Sequence, residues 1–205
     1  MKAIKFLTAL FMLCALSTSV EAQNLSKADQ KILKKQLKEL KADGWKVNPG
    51  QLPLETQITR AFEARSEKDA MGCDVWITGE GRSTGTIFDA ARTQAQTVAR
   101  GEIAQKLRTD MTATITQDLA NEQFANDEAE SVAKTIVTQQ GRSIDQTVMR
   151  PNVLAECYRK LPNGNTEVLV IFAVSSQTVS KLAKAAIEKA RRDNLLQDVN
   201  KQKNQ

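Results

Sequence analysis

The chain has 205 residues, 41% hydrophobic and 26% charged, with 29 basic and 24 acidic residues, three cysteines and no histidine. That length fits one domain with appendages better than two, and the apolar fraction supports a packed core. Without histidine there is no Ser-His-Asp or Cys-His nucleophile pair, no HExxH zinc site and no imidazole pH switch, and an aromatic content of 4% argues against base-stacking nucleic-acid modules.

Residues 1–22 read as a secretory signal peptide. Lys2 and Lys5 precede an apolar run from Phe6 to Leu16, and Val20 and Ala22 place small residues at −3 and −1 of a cleavage site after Ala22. The run is shorter than the roughly 20 residues that a bilayer span needs, and no later run approaches that length. The expectation is an exported protein, periplasmic or outer-membrane-associated, with no transmembrane helix in the mature chain. Cys14 follows Phe11, Met12 and Leu13, none of them the small residue that a lipid-attachment site requires, so it reads as an ordinary apolar residue of the leader.

The charge is unevenly placed. Residues 23–45 hold six lysines against Asp29, Glu39 and Asp43; residues 181–205 hold seven basic and three acidic residues; residues 46–180 hold 14 basic and 17 acidic. A nucleic-acid domain would concentrate positive charge on a folded face, so no nucleic-acid partner is expected. The basic ends read as solvated helix faces or as contacts to an anionic lipid or acidic envelope surface.

A helical extension is expected over residues 23–71. Ser26 reads as an N-cap with Asp29 in the first turn; Ile32, Leu33, Leu37 and Leu40 form an apolar stripe among lysines, and Gly44 stops the helix. Pro53 suits the first position of a second helix with Leu54, Ile58, Ala61 and Phe62 on its apolar face. The extension either packs on the main domain or reaches out from it.

The main domain, 72–194, starts with a strand from Asp74 to Glu80. The segment from Gly79 to Gly85 that follows reads as a chain bend leading into a helix; it lacks the lysine of GxxxxGK[ST], and its spacing does not fit GxGxxG. Residues 87–120 form a long helical pattern with Ala91, Ala95, Val98, Ile103, Leu107, Met111, Ile115 and Leu119 inward, and Gly101 is a candidate break or kink. A further helix places Ala129, Val132, Ala133, Ile136 and Val137 inward and ends at Gly141. Two strands, Val148 to Lys160 and Thr166 to Val174, flank an Asn163-Gly164 hairpin tip. The second is apolar on both faces, which predicts an internal strand covered on both sides. A last helix, capped by Ser175 or Ser176, has Val179, Leu182, Ala183, Ala186, Ile187 and Ala190 as its stripe, and residues 195–205 read as a disordered tail. The fold class is therefore α+β: a small antiparallel three-stranded sheet packed with helices in the order β-α-α-β-β-α, behind the helical extension.

Cys73 and Cys157 are the cysteines of the mature chain. They form a disulfide or stay reduced; an internal third strand would put their strands about 9.6 Å apart, which disfavours pairing. Two thiols without a CxxC are too few for a metal site, and no cofactor is expected.

The succession Gly79-Glu80-Gly81, Ala90-Ala91-Arg92-Thr93-Gln94-Ala95 and Ala104-Gln105-Lys106-Leu107, followed by a hairpin of Leu154-Ala155-Glu156-Cys157-Tyr158 and Glu167-Val168-Leu169-Val170, resembles the LPP20 lipoprotein family over about residues 72–175. The stretches Asp43 to Val47, Pro49-Gly50 and Leu52 to Glu55 resemble the N-terminal regions of exported Bacteroidetes homologues. The resemblance implies a compact α+β domain of an outer-membrane-associated protein, and it transfers no catalytic motif. The missing lipid-attachment site departs from the family.

The resulting expectation is a non-enzymatic envelope interaction or scaffold protein that binds an envelope protein or itself. Its candidate contacts are Lys31, Leu33, Lys34, Leu37 and Lys38. The alternative is peripheral membrane binding through the same lysine-rich helix. Acids and bases exist, for example Asp74, Glu80, Asp89 and Glu102, with Ser83 nearby, but such groups at a strand-to-helix turn are ordinarily caps or solvated residues, and none is named as catalytic.

Overall fold

A computed structural model describes residues 25–121 and 125–193. The expected leader, 1–22, and the expected tail, 195–205, lie outside the described residues. The elements run α1 (Lys27–Ala42), α2 (Leu54–Ser66), β1 (Trp76–Gly85), α3 (Phe88–Asn121), α4 (Asn126–Gln139), α5 (Gly141–Val148), β2 (Asn152–Lys160), β3 (Thr166–Ser175) and α6 (Gln177–Arg192). The fold is α+β, and its antiparallel sheet has the order β1-β3-β2, with β3 in the middle.

Local chemistry sets several boundaries. The Ser26 hydroxyl accepts the Asp29 N–H at 3.1 Å and starts α1. Gly44, at φ 77°, turns the chain out of it. Pro53 is the residue just before α2, one position earlier than expected. At the hairpin tip, Gly164 takes φ 82° and its N–H reaches the Leu161 carbonyl at 2.9 Å, which closes the turn between β2 and β3.

The alternation along β3 divides the core in two. Val168, Val170, Phe172 and Val174 point to the side of α3, α4 and α6. Leu169 and Ile171 point to the other side, where they meet Leu33, Leu40, Trp45, Leu54, Ile58 and Ala61. The N-terminal helices thus form the second layer over the sheet and do not reach away from it. This double cover is what the all-apolar β3 sequence requires.

The segment from Gly79 to Gly85 departs from the expected bend. It is the second half of β1, paired with β3 without interruption from Trp76 opposite Ser175 to Gly85 opposite Thr166. Its glycines lie where α3 presses on the strand. A Cβ on Gly79 would stand 2.3 Å from the Ala99 carbonyl oxygen, and one on Gly81 would stand 1.9 Å from that of Ala95. Glycine is retained here for backbone-to-backbone approach, not for turning.

Helix α3 is unbroken over 34 residues, so Gly101 neither ends nor interrupts it. Gly101 faces solvent, with open space around its Cα, so only its intrinsic propensity weakens the helix. Its buried residues Ala91, Ala95, Ala99, Ile103, Leu107, Met111, Ile115 and Leu119 recur at every fourth position. Val98, expected inward, is 43% exposed, and Ala99 takes its place. A spacing of four advances the stripe about 40° round the helix at each step. The contact face therefore turns along the helix, from β1 at its start to α4 and α6 farther on.

Helix α5 occupies residues expected to lead into or begin the second strand. Ile144 and Val148 are buried one turn apart, and β2 begins only after Pro151. Gly141, expected to end the preceding helix, opens α5 directly after α4.

Side chains and a short bridge occupy backbone groups on both sheet edges. On β2, Lys46 and Tyr158 exchange backbone hydrogen bonds of 2.8 Å, and Gln57 Oε1 accepts the Glu156 N–H at 2.7 Å. On β1, Glu102 accepts the Glu80 N–H at 2.7 Å and Lys106 donates to the Thr78 carbonyl at 2.8 Å. Edge groups occupied in this way resist pairing with another chain.

Two substitutions separate close packing from propensity. Gly81→Ala forces α3 off β1 and is expected to cost about 3 kcal/mol or more. Gly101→Ala adds a methyl in open space and is expected to stabilise by about 0.5 to 1 kcal/mol. Urea unfolding of the two variants measures both, and a mild effect of Gly81→Ala would refute the packing account.

Candidate functional site

Lys27, Lys31, Lys34, Lys38 and Lys41 follow spacings of four and three residues and so form one stripe along α1. All five are exposed. Lys41 is paired with Glu55, and Lys35, beside the stripe, lies 3.9 Å from Glu39. Lys31, Lys34 and Lys38 have no acidic partner among the described residues. Leu33, about a third of a turn away, is 8% exposed and belongs to the core layer on the sheet, as does Leu40. Leu37 is half-buried against the same layer. The five residues read as one contact surface thus divide: the three lysines face outward, while the two leucines hold the helix down. Substituting Leu33 attacks the core and does not report on a partner.

Cys73 and Cys157 are both free thiols. Cys73 is exposed in the loop before β1. Cys157 lies on β2 under the N-terminal helices, where burial, with a smaller contribution from Glu80 and Glu156 against Arg82, pushes its thiol up to about 12. It is a protonated core residue at neutral pH.

A cleft of about 760 Å³ opens between the loop before β1, the middle of α3 and the start of α6. Lys68, Asp74, Lys106, Asp110, Ser176 and Ser180 are among its lining residues, and Cys73 sits on its wall. Asp74 is paired with Lys68. Burial, then the negative charge of Asp74, raises the Asp110 carboxyl above its ordinary value against the pull of Lys106. Nothing in the sequence pointed to this cleft, because its walls come from segments about 40 and 65 residues apart.

The residues weighed for catalysis are occupied elsewhere or dispersed. Glu80 bonds Arg65 and Arg82, each at 2.9 Å, and Glu102 bonds Lys106 at 2.7 Å. Asp89 is exposed in the first turn of α3, and Ser83 lies half-buried on β1. Among the described residues, no group of three or more Cys, Asp or Glu could hold a metal ion. No helix of the described residues is long and apolar enough to cross a membrane.

A second charged cluster lies just past the end of α1. The ring of Trp45, 5% exposed, has the Arg159 guanidinium 5.1 Å from its centroid and that of Arg82 at 5.9 Å. Arg159 also bonds Glu167 at 2.6 Å and Asp43 at 3.0 Å. These contacts tie the end of α1 to all three strands.

On the opposite face, α3 reaches β2 only with long side chains. Phe88 meets Tyr158 edge-on, with centroids 5.4 Å apart. Arg92 Nε lies 2.9 Å from the buried Glu156 in an ion pair without hydrogen-bond alignment. Gln96 and Gln51 each reach that carboxylate at 3.4 Å.

Comparison of the chain with protein families, curated proteins and solved structures found no match in any of the three.

Glu80 provides a test of the electrostatics. Burial works to raise its carboxyl, but the hydrogen bonds and charges of Arg65 and Arg82 outweigh it and hold the group below its ordinary value. Such a carboxylate contributes stability above its unfolded-state value, and that stability is lost as pH falls through the folded one. Glu80→Gln should therefore unfold at lower urea than wild type at neutral pH. The gap should close as the pH is taken below the ordinary glutamate range, and an equal gap there would refute the assignment.

Proposed function

We propose that this is an exported, non-enzymatic interaction protein of the cell envelope, periplasmic or outer-membrane-associated. It presents the outward lysines of α1 to an acidic protein surface. The single observation that carries this reading is the row Lys31, Lys34 and Lys38, exposed, unpaired among the described residues, and fixed in place by the buried Leu33 and Leu40. The leader-like residues 1–22 support export, and the resemblance of residues 72–175 to the LPP20 lipoprotein family supports an envelope address. A rigid row of like charges strengthens association with a surface of opposite sign without a matching cleft.

The second reading is peripheral binding to an anionic membrane through the same row. An interfacial helix inserts an apolar face into the lipid boundary. The leucine stripe of α1 is spent on the sheet, and Ile32, 56% exposed, is the large apolar side chain left outside. This favours a protein partner over lipid.

Crosslinking in intact cells compares wild type with the triple variant Lys31→Glu, Lys34→Glu, Lys38→Glu. The expected outcome is a specific acidic envelope partner captured by wild type and lost in the variant, whose thermal unfolding is unchanged. Equal capture by both proteins would sink the reading. Salt-sensitive binding of wild type to anionic vesicles, absent in the variant, would assign the row to the membrane.

A further inference from the structure

The side-chain bonds along the outer side of β1 stop at Glu80. Outward-facing backbone groups alternate along an edge strand, so after Thr78 and Glu80 the next are those of Arg82 and Thr84. Among the described residues, none outside the sheet bonds the backbone of either. From Arg82 to Gly85 the edge is open, and the strand there is paired with β3 without a bulge.

Helix α3 flanks this open edge with an uncharged strip. Ile87, Gln94, Val98, Gly101 and Gln105 recur at spacings of seven, four, three and four residues, which keeps them on one side of the helix. All five are exposed, Ile87 at 67% and Val98 at 43%. Ala95 and Ala99 rest on the glycines of β1, while Arg92 and Gln96 reach across to β2. The strip therefore faces the opposite way, out past the edge of β1. Gly101 weakens the helix and meets nothing within the single chain that requires a glycine.

We infer that this face joins two copies of the chain edge to edge, about a two-fold axis at Ser83. Arg82 then stands opposite Thr84 of the second copy, and each exchanges its backbone hydrogen bonds with the other. An axis one residue earlier would oppose Arg82 to itself and Thr84 to Glu80, whose N–H Glu102 already holds. An axis one residue later would oppose Arg82 to Thr86, beyond the end of the strand. Only the axis at Ser83 uses every open group.

The helices fit the same operation. Because α3 lies over β1 and β3, and strands are about 4.8 Å apart, the two copies of α3 run antiparallel about 10 Å apart, a normal packing distance. Gly85 lies against Ala91, and Gly81 against Ala95 and Ala99, so Gln94 is level with Ser83 near the axis. Ile87 of one copy then comes beside Gly101 of the other, where the open space receives it. The surface calls for a strand with a helix beside it on one face, and the β1–α3 unit of a second copy is that pair. An isolated extended peptide would leave Ile87 and Val98 in water.

Sedimentation velocity over about 1 to 100 μM measures the monomer–dimer equilibrium. Wild type is expected to dimerise in this range. Ile87→Asp, a change at an exposed side chain, should raise the dissociation constant about tenfold or more with thermal unfolding of the monomer unchanged, and Thr84→Pro, which removes an outward N–H, should do the same to the constant. Ser83→Cys, made with Cys73→Ser so that the exposed native thiol takes no part, should give an interchain disulfide under mild oxidation, because facing residues at such a position lie about 4.5 Å apart. The triple lysine variant of α1 should dimerise like wild type, since this face is separate from the lysine row. A protein monomeric throughout the range would overturn the proposal and leave the edge to a strand of another protein. A dimer that keeps its affinity in Ile87→Asp and gives no crosslink through Ser83→Cys would also overturn it, even if Thr84→Pro fails to fold.

Discussion

The approach of α3 onto β1 governs the rest of this structure. Gly79 and Gly81 leave the strand without side chains on that face, and Ala95 and Ala99 leave the helix nearly so, and the two backbones meet. Directly across the sheet, Phe172 and Val170 stand opposite those glycines and wall the trough in which the helix lies. Packing of this kind leaves little room for adjustment, so it fixes the position of α3 over the sheet. Everything farther along the helix inherits that placement. The drift of its four-residue stripe then turns Met111, Ile115 and Leu119 away from the sheet toward α4 and α6.

The same placement divides the sheet's two edges. Because α3 lies over β1 and β3, its Glu102 and Lys106 fall beside the outer edge of β1 and occupy backbone groups there. Strand β2, at the far edge, is covered on that face by long side chains alone, while Lys46 and Gln57 close its outer edge from the N-terminal layer. The buried Glu156 is the joint of this arrangement. It connects α3 through Arg92 and Gln96, the segment before α2 through Gln51, and the sheet through its own backbone.

The fold was largely legible in sequence, and the surfaces only in part. Capping at Ser26, the Asn163-Gly164 turn and the two-faced apolar β3 each express local chemistry or a period of two, and each appears where expected. The lysine row of α1 was visible as composition, but sequence could not show that Leu33 is committed to the sheet. The segment from Gly79 to Gly85 is ambiguous in sequence because glycine marks both a bend and a close approach, and only the partner helix distinguishes them. Arg92, Gln96 and Arg100 carry a sequence signal of their own: polar residues at every fourth position, flanking an alanine stripe.

What the sequence determined alone was most of the elements, α5 and the second half of β1 excepted, together with the central place of β3 and the sign of each charged segment, because periodicity and turn chemistry act over a few residues. The tertiary structure decided which charges find partners, which glycine needs its hydrogen and which apolar side chain stays in water. Those outcomes depend on residues brought together from distant parts of the chain. Arg92 and Arg100 are both arginines on one face of one helix. Only the strand beneath them makes the first a member of a buried pair and leaves the second without an acceptor.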